Sequence, residues 1–499
     1  MSAETPASYE ELLDRYRRLS NVQEASGVLN WDQHVTMPEG GTPARAQQLS
    51  TLSAVSHDLL TADETGDLLD DLEGADLDGE RAAVVREIRA EYERAVDVPG
   101  DLVEELSTVQ SENQQVWQEA KANDDFGSFA PALERLRDLH VERAEYVDPA
   151  KSPYEVLFDD SERYVSLDRV EAIFDRLREE LVPLIEEIRT EGVDLPTPFE
   201  GEYDPEVQED LSRAALDRLG FDWERGRFDT SAHPFTFGNQ FDSRITTRYR
   251  RDDPIDALTA TIHEFGHATY NLGLRQDQYG SPLGQPRSSG VHESQSRFWE
   301  NHVGRTRAFW EGFLPTMKAH FPQVEDATVD EVYRAVNRIY PENRIRVEAD
   351  ELTYHLHIIL RTEIGRAFVE GDLAVEEIPS VWNRKMDEYL GVRPATDTEG
   401  CLQDIHWSYR FANFQSYTIG SVLAAQLDAA MRDDLDRDVD ALVREGEFEP
   451  IHEWLTENVH RPGQRYETDE LVERATGEPL TADYFLDYVD EKFRTLYGL

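Results

Sequence analysis

The chain has 499 residues, and its 103 acidic side chains outnumber its 50 basic ones, giving a formal charge of −53 at pH 7. The length permits a large core and, by itself, several domains. The charge excludes a typical nucleic-acid-binding protein, because such proteins need a basic stripe that displaces counterions from phosphates.

The acidic excess is spread over the whole chain, and only five of the fifty basic residues are lysine. We interpret this composition as an adaptation to a salt-rich cytoplasm, where counterions screen the repulsion between like charges in the compact state. An ordinary acidic protein is the alternative. Dialysis to low salt separates the two, because only the adapted protein is expected to unfold.

The sequence carries no signal for secretion or membrane insertion. Residues Met1 to Pro6 have neither the basic nor the apolar segment of a leader, and no later run approaches the length of an apolar membrane span. Cys401 is the only cysteine, so an intrachain disulfide is impossible and an oxidising compartment is not implied. We therefore expect a soluble, cytoplasmic protein without a membrane partner.

Helical periodicity dominates the chain, and we predict a mainly α fold. Ser8 and Glu11 have the spacing of a capping box at the start of the first helix. A long amphipathic helix follows Ser166, perturbed at most by Pro183. Similar patterns occupy residues 84–121, 130–145, 329–339, 351–369 and 416–432.

The segment 227–250 differs, because apolar and polar residues alternate around the turn-prone pair Gly238 and Asn239. This alternation predicts a small hairpin or sheet. The preceding stretch 193–206 contains proline and glycine, and we interpret it as a surface loop.

The chain contains neither a tandem repeat nor a low-complexity tract that would divide it. We predict a single domain over residues 1–499. Its N-terminal helical part, about 1–195, is expected to pack over a catalytic part of about 196–499.

Residues 263–267 read His-Glu-Phe-Gly-His inside an apolar, helix-competent run. Residues four apart on a helix lie one turn above each other, so His263 and His267 are expected to face one metal ion with Glu264 beside it. This pattern is typical of zinc hydrolases. The alternative is a pair of helix histidines that bind no metal.

A zinc hydrolase site usually has three protein ligands and keeps a fourth position for water. Glu293 is our candidate for the third ligand, because the loop before it can turn the chain back and residues 292–300 can form a helix. Glu300 is a weaker rival. A surface carboxylate is the alternative for either residue.

Glu264 has a defined task in such a site. It would accept a proton from the zinc-bound water and later pass it to the departing amine, while the metal polarises the carbonyl. Peptide hydrolysis is therefore the expected reaction.

Further blocks follow one another along the chain in a recognisable order. They are Trp31 to Pro38 with Arg45, Gln48 and Leu49; His233-Pro234-Phe235; Asp242 to Thr246; His263 to His267; His292 to Ser296; Ile345 to Asp350; and Gly400 to Trp407. In this order they resemble the carboxypeptidase Taq family, the M32 metallopeptidases. The resemblance spans nearly the whole chain and is far more specific than a single His-Glu-x-x-His.

The resemblance implies a metal-dependent carboxypeptidase that removes single C-terminal residues from peptides, with broad specificity and weak activity at proline. It implies a mostly helical fold similar to neurolysin and angiotensin-converting enzyme, a deep groove and a homodimer. The metal would be zinc, for which cobalt often substitutes. The family pattern assigns His263, His267 and Glu293 as ligands and Glu264 as the acid/base.

A carboxypeptidase must also recognise a free carboxylate. We choose Arg346 for this role, because a guanidinium offers two parallel donors and the family motif has an arginine there. Arg244 is a second candidate, although an ion pair with Asp242 is equally compatible with the sequence.

Three further residues are candidates near the reacting carbonyl. Tyr417 or His406 would donate a hydrogen bond to the oxyanion of the tetrahedral intermediate. His233, next to Pro234, is expected close to the metal, with a buried structural histidine as the alternative.

Two other functions remain open from the sequence. An oligopeptidase of the thimet type carries the same His-Glu-Phe-Gly-His and cuts inside short peptides, without needing a carboxylate clamp. A non-catalytic acidic helical scaffold would carry the motif by accident. An amidated peptide separates the first from a carboxypeptidase, and chelation with Glu264→Gln separates the second.

Overall fold

The computed structural model describes residues 5–499 and contains mostly α-helices, as the periodicity predicts. The helices before the sheet are α1 (Ala7–Val35), α2 (Thr42–Thr61), α3 (Asp63–Asp71), α4 (Gly79–Val96), α5 (Gly100–Asn123), α6 (Phe126–Val147), α7 (Pro153–Asp159), α8 (Leu167–Glu191) and α9 (Pro205–Leu219). Among these residues no helix combines the length and the apolar composition that crossing a membrane requires.

The helices after the sheet carry most of the candidate site. They are α10 (Pro254–Gly273), α11 (Ser289–Arg297), α12 (Arg307–His320), α13 (Val329–Val336), α14 (Thr353–Val369), α15 (Ile378–Leu390), α16 (Gln415–Asp434), α17 (Val439–Glu445), α18 (Glu449–Leu455), α19 (Thr468–Thr476) and α20 (Asp483–Tyr497). A π-helical segment, Phe298–Gly304, continues α11 directly.

Two helix predictions need correction at their ends. The pattern over 84–121 covers two helices, because Pro99 lacks an amide hydrogen and disfavours helical backbone at Val98, so α4 ends at Val96. The capping box predicted at Ser8 is wrong: α1 already begins at Ala7, and its N-cap is Pro6, which has no side-chain hydrogen bond.

The predicted sheet consists of β1 (Gly226–Thr230), β2 (Thr236–Gly238) and β3 (Ser243–Thr247), in the order β1-β3-β2. Strands β2 and β3 form the antiparallel hairpin around Gly238 and Asn239, and β1 adds to β3 in parallel. The sheet packs on α10, so it lies against the helix with the histidine motif. The stretch 193–204 is a loop.

The apolar core forms two clusters among the described residues. The smaller joins α1, α3 and α4 to Leu283, and the larger extends from Val98 to Tyr497. A buried ion pair also joins the two regions, because both nitrogens at the end of Arg287 donate to the Glu87 carboxylate at 3.0 and 2.8 Å. Removing one partner of such a pair typically costs about 3–5 kcal/mol, because the other charge is then left buried without compensation.

Candidate metal centre and groove

Helix α10 presents both histidines of the motif on one face. Asp253 caps the helix by accepting two backbone amide hydrogens, and Pro254 occupies the first helical position, where its missing donor costs nothing. The Nε2 atoms of His263 and His267 lie 3.7 and 3.4 Å from Oε2 of Glu293. Together the three side chains offer ligand atoms that all lie within 4.8 Å of one another.

Glu293 reaches this position because α11 packs unusually closely between α10 and α16. A Cβ atom at Gly266 would lie 2.4 Å from the backbone oxygen of Gln295. A Cβ atom at Gly420 would lie 2.4 Å from Cγ of Glu293 itself. Real contacts of this kind are much longer, so glycine at both positions allows the helix spacing that holds Glu293 opposite the histidines.

Hydrogen bonds on the outer side of the histidines orient their rings. Nδ1 of His263 lies 2.9 Å from Oε2 of Glu300, and Nδ1 of His267 lies 2.6 Å from Nδ1 of His292. Burial holds the pKa of His292 well below its usual value, so that ring is neutral. It can accept from His267 while its own Nε2 hydrogen donates to Asn271 at 3.1 Å. Donation from Nδ1 to these partners would leave the Nε2 atoms of both motif histidines available to a metal ion on the Glu293 side.

The acidic side of the centre is balanced by two arginines. Burial alone would raise the pKa of Glu293, but the charge of Arg297, with those of the histidines, holds it well below its usual range. Arg297 donates to Glu293 at 2.8 Å and to Glu300 at 3.1 Å, and Arg305 donates to Glu300 at 3.0 Å. Both glutamates are therefore ionised and can serve as a ligand and as a hydrogen-bond acceptor.

Glu264 lies beside the ligand group and is held by the sheet. The hydroxyl of Thr236, in β2, donates to Oε2 of Glu264 at 2.7 Å. Glu264 and His263 both line a groove of about 460 Å³, and His233 lines it as well. The groove thus reaches the candidate centre, and strand β2 of the small sheet fixes the carboxylate of Glu264.

Arg346 also lines this groove, and Asp404 and Tyr354 hold its guanidinium by hydrogen bonds. Its Nε and Nη2 each donate to the Asp404 carboxylate at 2.9 Å, and its Nη1 lies 3.3 Å from the Tyr354 hydroxyl. Arg361 pairs with the same carboxylate at 2.5 Å. Two guanidiniums share one carboxylate, so a net positive charge remains, and Nη1 is the terminal nitrogen of Arg346 that Asp404 does not engage.

The other arginine candidate has a different position. Arg244 makes the ion pair that the sequence left open, donating to Asp242 through Nε at 2.9 Å and Nη2 at 2.6 Å. Its guanidinium carbon lies 4.5 Å from the centre of the Trp31 ring. Among the described residues it does not belong to those lining the groove.

Neither His406 nor Tyr417 is among the described residues that line the groove; Tyr417 lies against Arg346, and His406 lies beside Asp404. The Arg346 guanidinium carbon is 5.5 Å from the Tyr417 ring centre, and Nδ1 of His406 is 3.8 Å from Asp404. Burial lowers the pKa of His406 to about 3, so its ring is neutral. Tyr417 thus contacts the arginine directly, whereas His406 lies beside the carboxylate that pairs with it.

Several site residues were not identified from the sequence. Arg297 follows Glu293 by four positions, so helical spacing carried a usable signal for that pair. Thr236 and Tyr354 come from other elements, and only the folded chain brings Thr236 to Glu264 and Tyr354 to the groove. Glu300, weighed as a rival ligand, instead contacts the outer nitrogen of His263.

Comparison with known proteins agrees with this geometry. The family model of the carboxypeptidase Taq (M32) metallopeptidases matches residues 11–493. Carboxypeptidase 1 of Bacillus subtilis (strain 168) is 38% identical over 495 residues, covering 98% of each chain. Thermostable carboxypeptidase 1 of Thermus thermophilus is 36% identical over 508 residues, covering 99% of each chain.

Solved structures give the same result. The M32 carboxypeptidase of Deinococcus radiodurans R1 superposes with a TM-score of 0.95 at 37% identity, covering 99% of this chain and 100% of that one. A carboxypeptidase of Pyrococcus furiosus has the same TM-score at 36% identity and the same coverage. The chain belongs to the M32 metallopeptidase family, and it is a metal-dependent carboxypeptidase that hydrolyses peptide bonds.

Proposed function

We propose that the protein is a zinc carboxypeptidase that releases single residues from the C-termini of peptides. The observation that carries this proposal is the convergence of two imidazole nitrogens and one carboxylate oxygen at the edge of the groove. Two nitrogen donors and one oxygen donor, with the metal open toward the groove, are typical of catalytic zinc sites. Cobalt is expected to substitute.

The donor set fits a divalent ion in its chemistry as well as its spacing. Hydrogen bonds to Glu300 and His292 direct the outer nitrogens of His263 and His267 away from the centre, and Glu293 is ionised. When bound, zinc would polarise the scissile carbonyl and make a water molecule more acidic. Glu293, held by Arg297, would complete the ligand set.

Glu264 is proposed as the acid/base. Its carboxylate lines the groove next to His263, where it would take a proton from the attacking water and return it to the departing amine. The Thr236 hydroxyl donates to Oε2 and so restricts the rotation of this carboxylate. A general base of this kind typically contributes about 10²- to 10⁴-fold to the rate.

Arg346 is proposed to bind the terminal carboxylate of the peptide through Nη1. Asp404 fixes the guanidinium plane, which lowers the entropy cost of binding. We propose that Tyr417 supports substrate binding by packing on this arginine and His406 by lying beside Asp404, and that His233 contacts the substrate from the groove wall. The pairing of Arg244 with Asp242 favours a structural role for that residue.

The test uses one peptide with either a free or an amidated C-terminus. Removal of one residue at a time from the free acid, blocked by amidation, supports the proposal, whereas internal cuts in both forms would indicate an oligopeptidase and refute it. Glu264→Gln should lose activity by about 10²-fold or more while keeping its zinc affinity. Loss of zinc affinity in that variant would contradict the assigned role.

Three broader expectations belong to the same proposal. We propose a homodimer in the cytoplasm, in line with the family resemblance and the single cysteine. We also propose that residues 1–499 act as one peptidase domain, which the buried pair between Arg287 and Glu87 supports. Sedimentation equilibrium tests the dimer, and peptides ending in proline test the expected weak activity at that residue.

A further inference from the structure

The arginines that line the groove are engaged with carboxylates, with one exception. The engaged ones pair as Arg248 with Asp256, Arg297 with Glu293, Arg305 with Glu300, and Arg346 with Asp404. Arg338 also lines the groove, and within residues 5–499 it has no carboxylate within 4.0 Å. Arg338 therefore differs from the other arginines of the groove wall, each of which has a carboxylate partner.

Arg338 stands among exposed apolar side chains. Its guanidinium carbon lies 5.4 Å from the ring centre of Tyr340. Tyr340 is 50% exposed and Val347 is 59% exposed, and both line the same groove. Exposed apolar side chains beside a free charge in a groove are typical of a surface that binds a ligand.

The backbone that carries Arg338 is fixed in place. The amide of Ile339 donates to the Tyr497 hydroxyl at 2.7 Å, and the amide of Tyr340 donates to Asp350 at 2.8 Å. Asp350 in turn caps the turn before α14. The guanidinium therefore extends from an ordered segment, so little backbone entropy is lost when it binds a partner.

We propose that Arg338, with Tyr340 and Val347, forms a subsite that binds an acidic side chain of the substrate peptide. The proposal rests on the proposed function, since it takes the groove as the peptide site. The strongly acidic protein repels acidic peptides, and an unpaired guanidinium inside the groove offsets this repulsion locally. The terminal carboxylate is bound separately, at Arg346.

The experiment compares peptides in which one glutamate is moved through the last four positions, each with a matching glutamine peptide. The ratio of kcat/KM for glutamate over glutamine is measured at each position, for free and amidated C-termini, at one fixed salt concentration. Arg338→Gln should lower the ratio by about fivefold at one position, mainly through KM. Arg338→Lys should retain part of the preference because it keeps the charge.

Arg344→Gln is the matched control. Arg344 lies six positions after Arg338, and its side chain is exposed but does not line the groove. The substitution removes the same charge, so the glutamate preference should stay as in the wild type. An equal loss in both variants would mean a general charge effect and would overturn the inference.

Two other results would also overturn it. The first is an unchanged glutamate preference in Arg338→Gln. The second is a smaller difference in kcat/KM between free and amidated peptides in Arg338→Gln, with the glutamate preference retained. That result would mean that Arg338 binds the terminal carboxylate. Internal cleavage of amidated peptides by the wild type would contradict the proposed function, while the glutamate ratio would still report on Arg338.

Discussion

Replacing Gly420 by alanine should weaken metal binding, although Gly420 touches neither the metal position nor the groove. The added Cβ would lie 2.4 Å from Cγ and 2.5 Å from Cβ of Glu293. Carbon atoms in contact normally stay about 3.5–4.0 Å apart, so α11 and α16 must separate by roughly 1 Å. A metal site tolerates only about 0.5 Å of displacement.

The expected magnitude follows from that displacement. Overpacking of this size typically costs about 1–3 kcal/mol of stability, and misplacing a ligand lowers metal affinity by about 10- to 100-fold. Zinc affinity would be measured by competition with a chelator, and the free energy of unfolding of the metal-free protein by urea titration. Circular dichroism verifies that the variant is folded under the assay conditions.

Gly365→Ala is the matched control for Gly420→Ala. Gly365 is also a buried glycine inside a helix, but a Cβ there would meet its nearest neighbour, Nε1 of Trp407, at 3.8 Å, an ordinary contact. This variant should keep its zinc affinity and gain about 0.5–1 kcal/mol of stability. Wild-type zinc affinity in folded Gly420→Ala would refute the argument that helix spacing positions Glu293.

The other predictions concern metal, pH and salt. Chelation should abolish activity, and either zinc or cobalt should restore it; peptide hydrolysis by fully metal-free protein would contradict the account. Burial raises the pKa of Glu162 to about 7, although Gly290 donates to it at 2.6 Å. The folded protein therefore binds a proton there that the unfolded chain releases, and the stabilisation from this group is lost as the pH rises from about 4.5 to 7. In urea titrations across that range, the free energy of unfolding of Glu162→Gln should fall less with rising pH than that of the wild type. An equal fall in both proteins would show that Glu162 does not titrate there. Dialysis from molar salt into dilute buffer should unfold the protein, as measured by circular dichroism, because the charge of −53 is then unscreened; a fully native spectrum in dilute buffer would favour an ordinary acidic protein.

The sequence allowed the main features of the centre to be predicted because they depend on short-range periodicity. His263 and His267 lie one helical turn apart, and the pattern around Glu293 belongs to a second helix, so both could be identified without knowing how the helices pack. The two strands of the hairpin were likewise recognisable from alternation and a turn. Each of these signals lies within a few dozen residues.

Features that depend on packing could not be predicted in this way. Nothing local indicates that β1 pairs with β3 in parallel, or that Gly420 must lack a side chain because Glu293 lies against it. The lack of an acidic partner for Arg338 likewise becomes visible only when every neighbour is in place. The pairing of Arg244 with Asp242 was an open alternative that only the side-chain geometry could decide.

The position of the metal tests the central claim most directly. Crystals of the zinc-loaded protein should give an anomalous peak at the zinc edge about 2.0–2.2 Å from Nε2 of His263, Nε2 of His267 and a carboxylate oxygen of Glu293. A peak elsewhere, or an active enzyme in which Glu293 points away from the metal, would contradict the account.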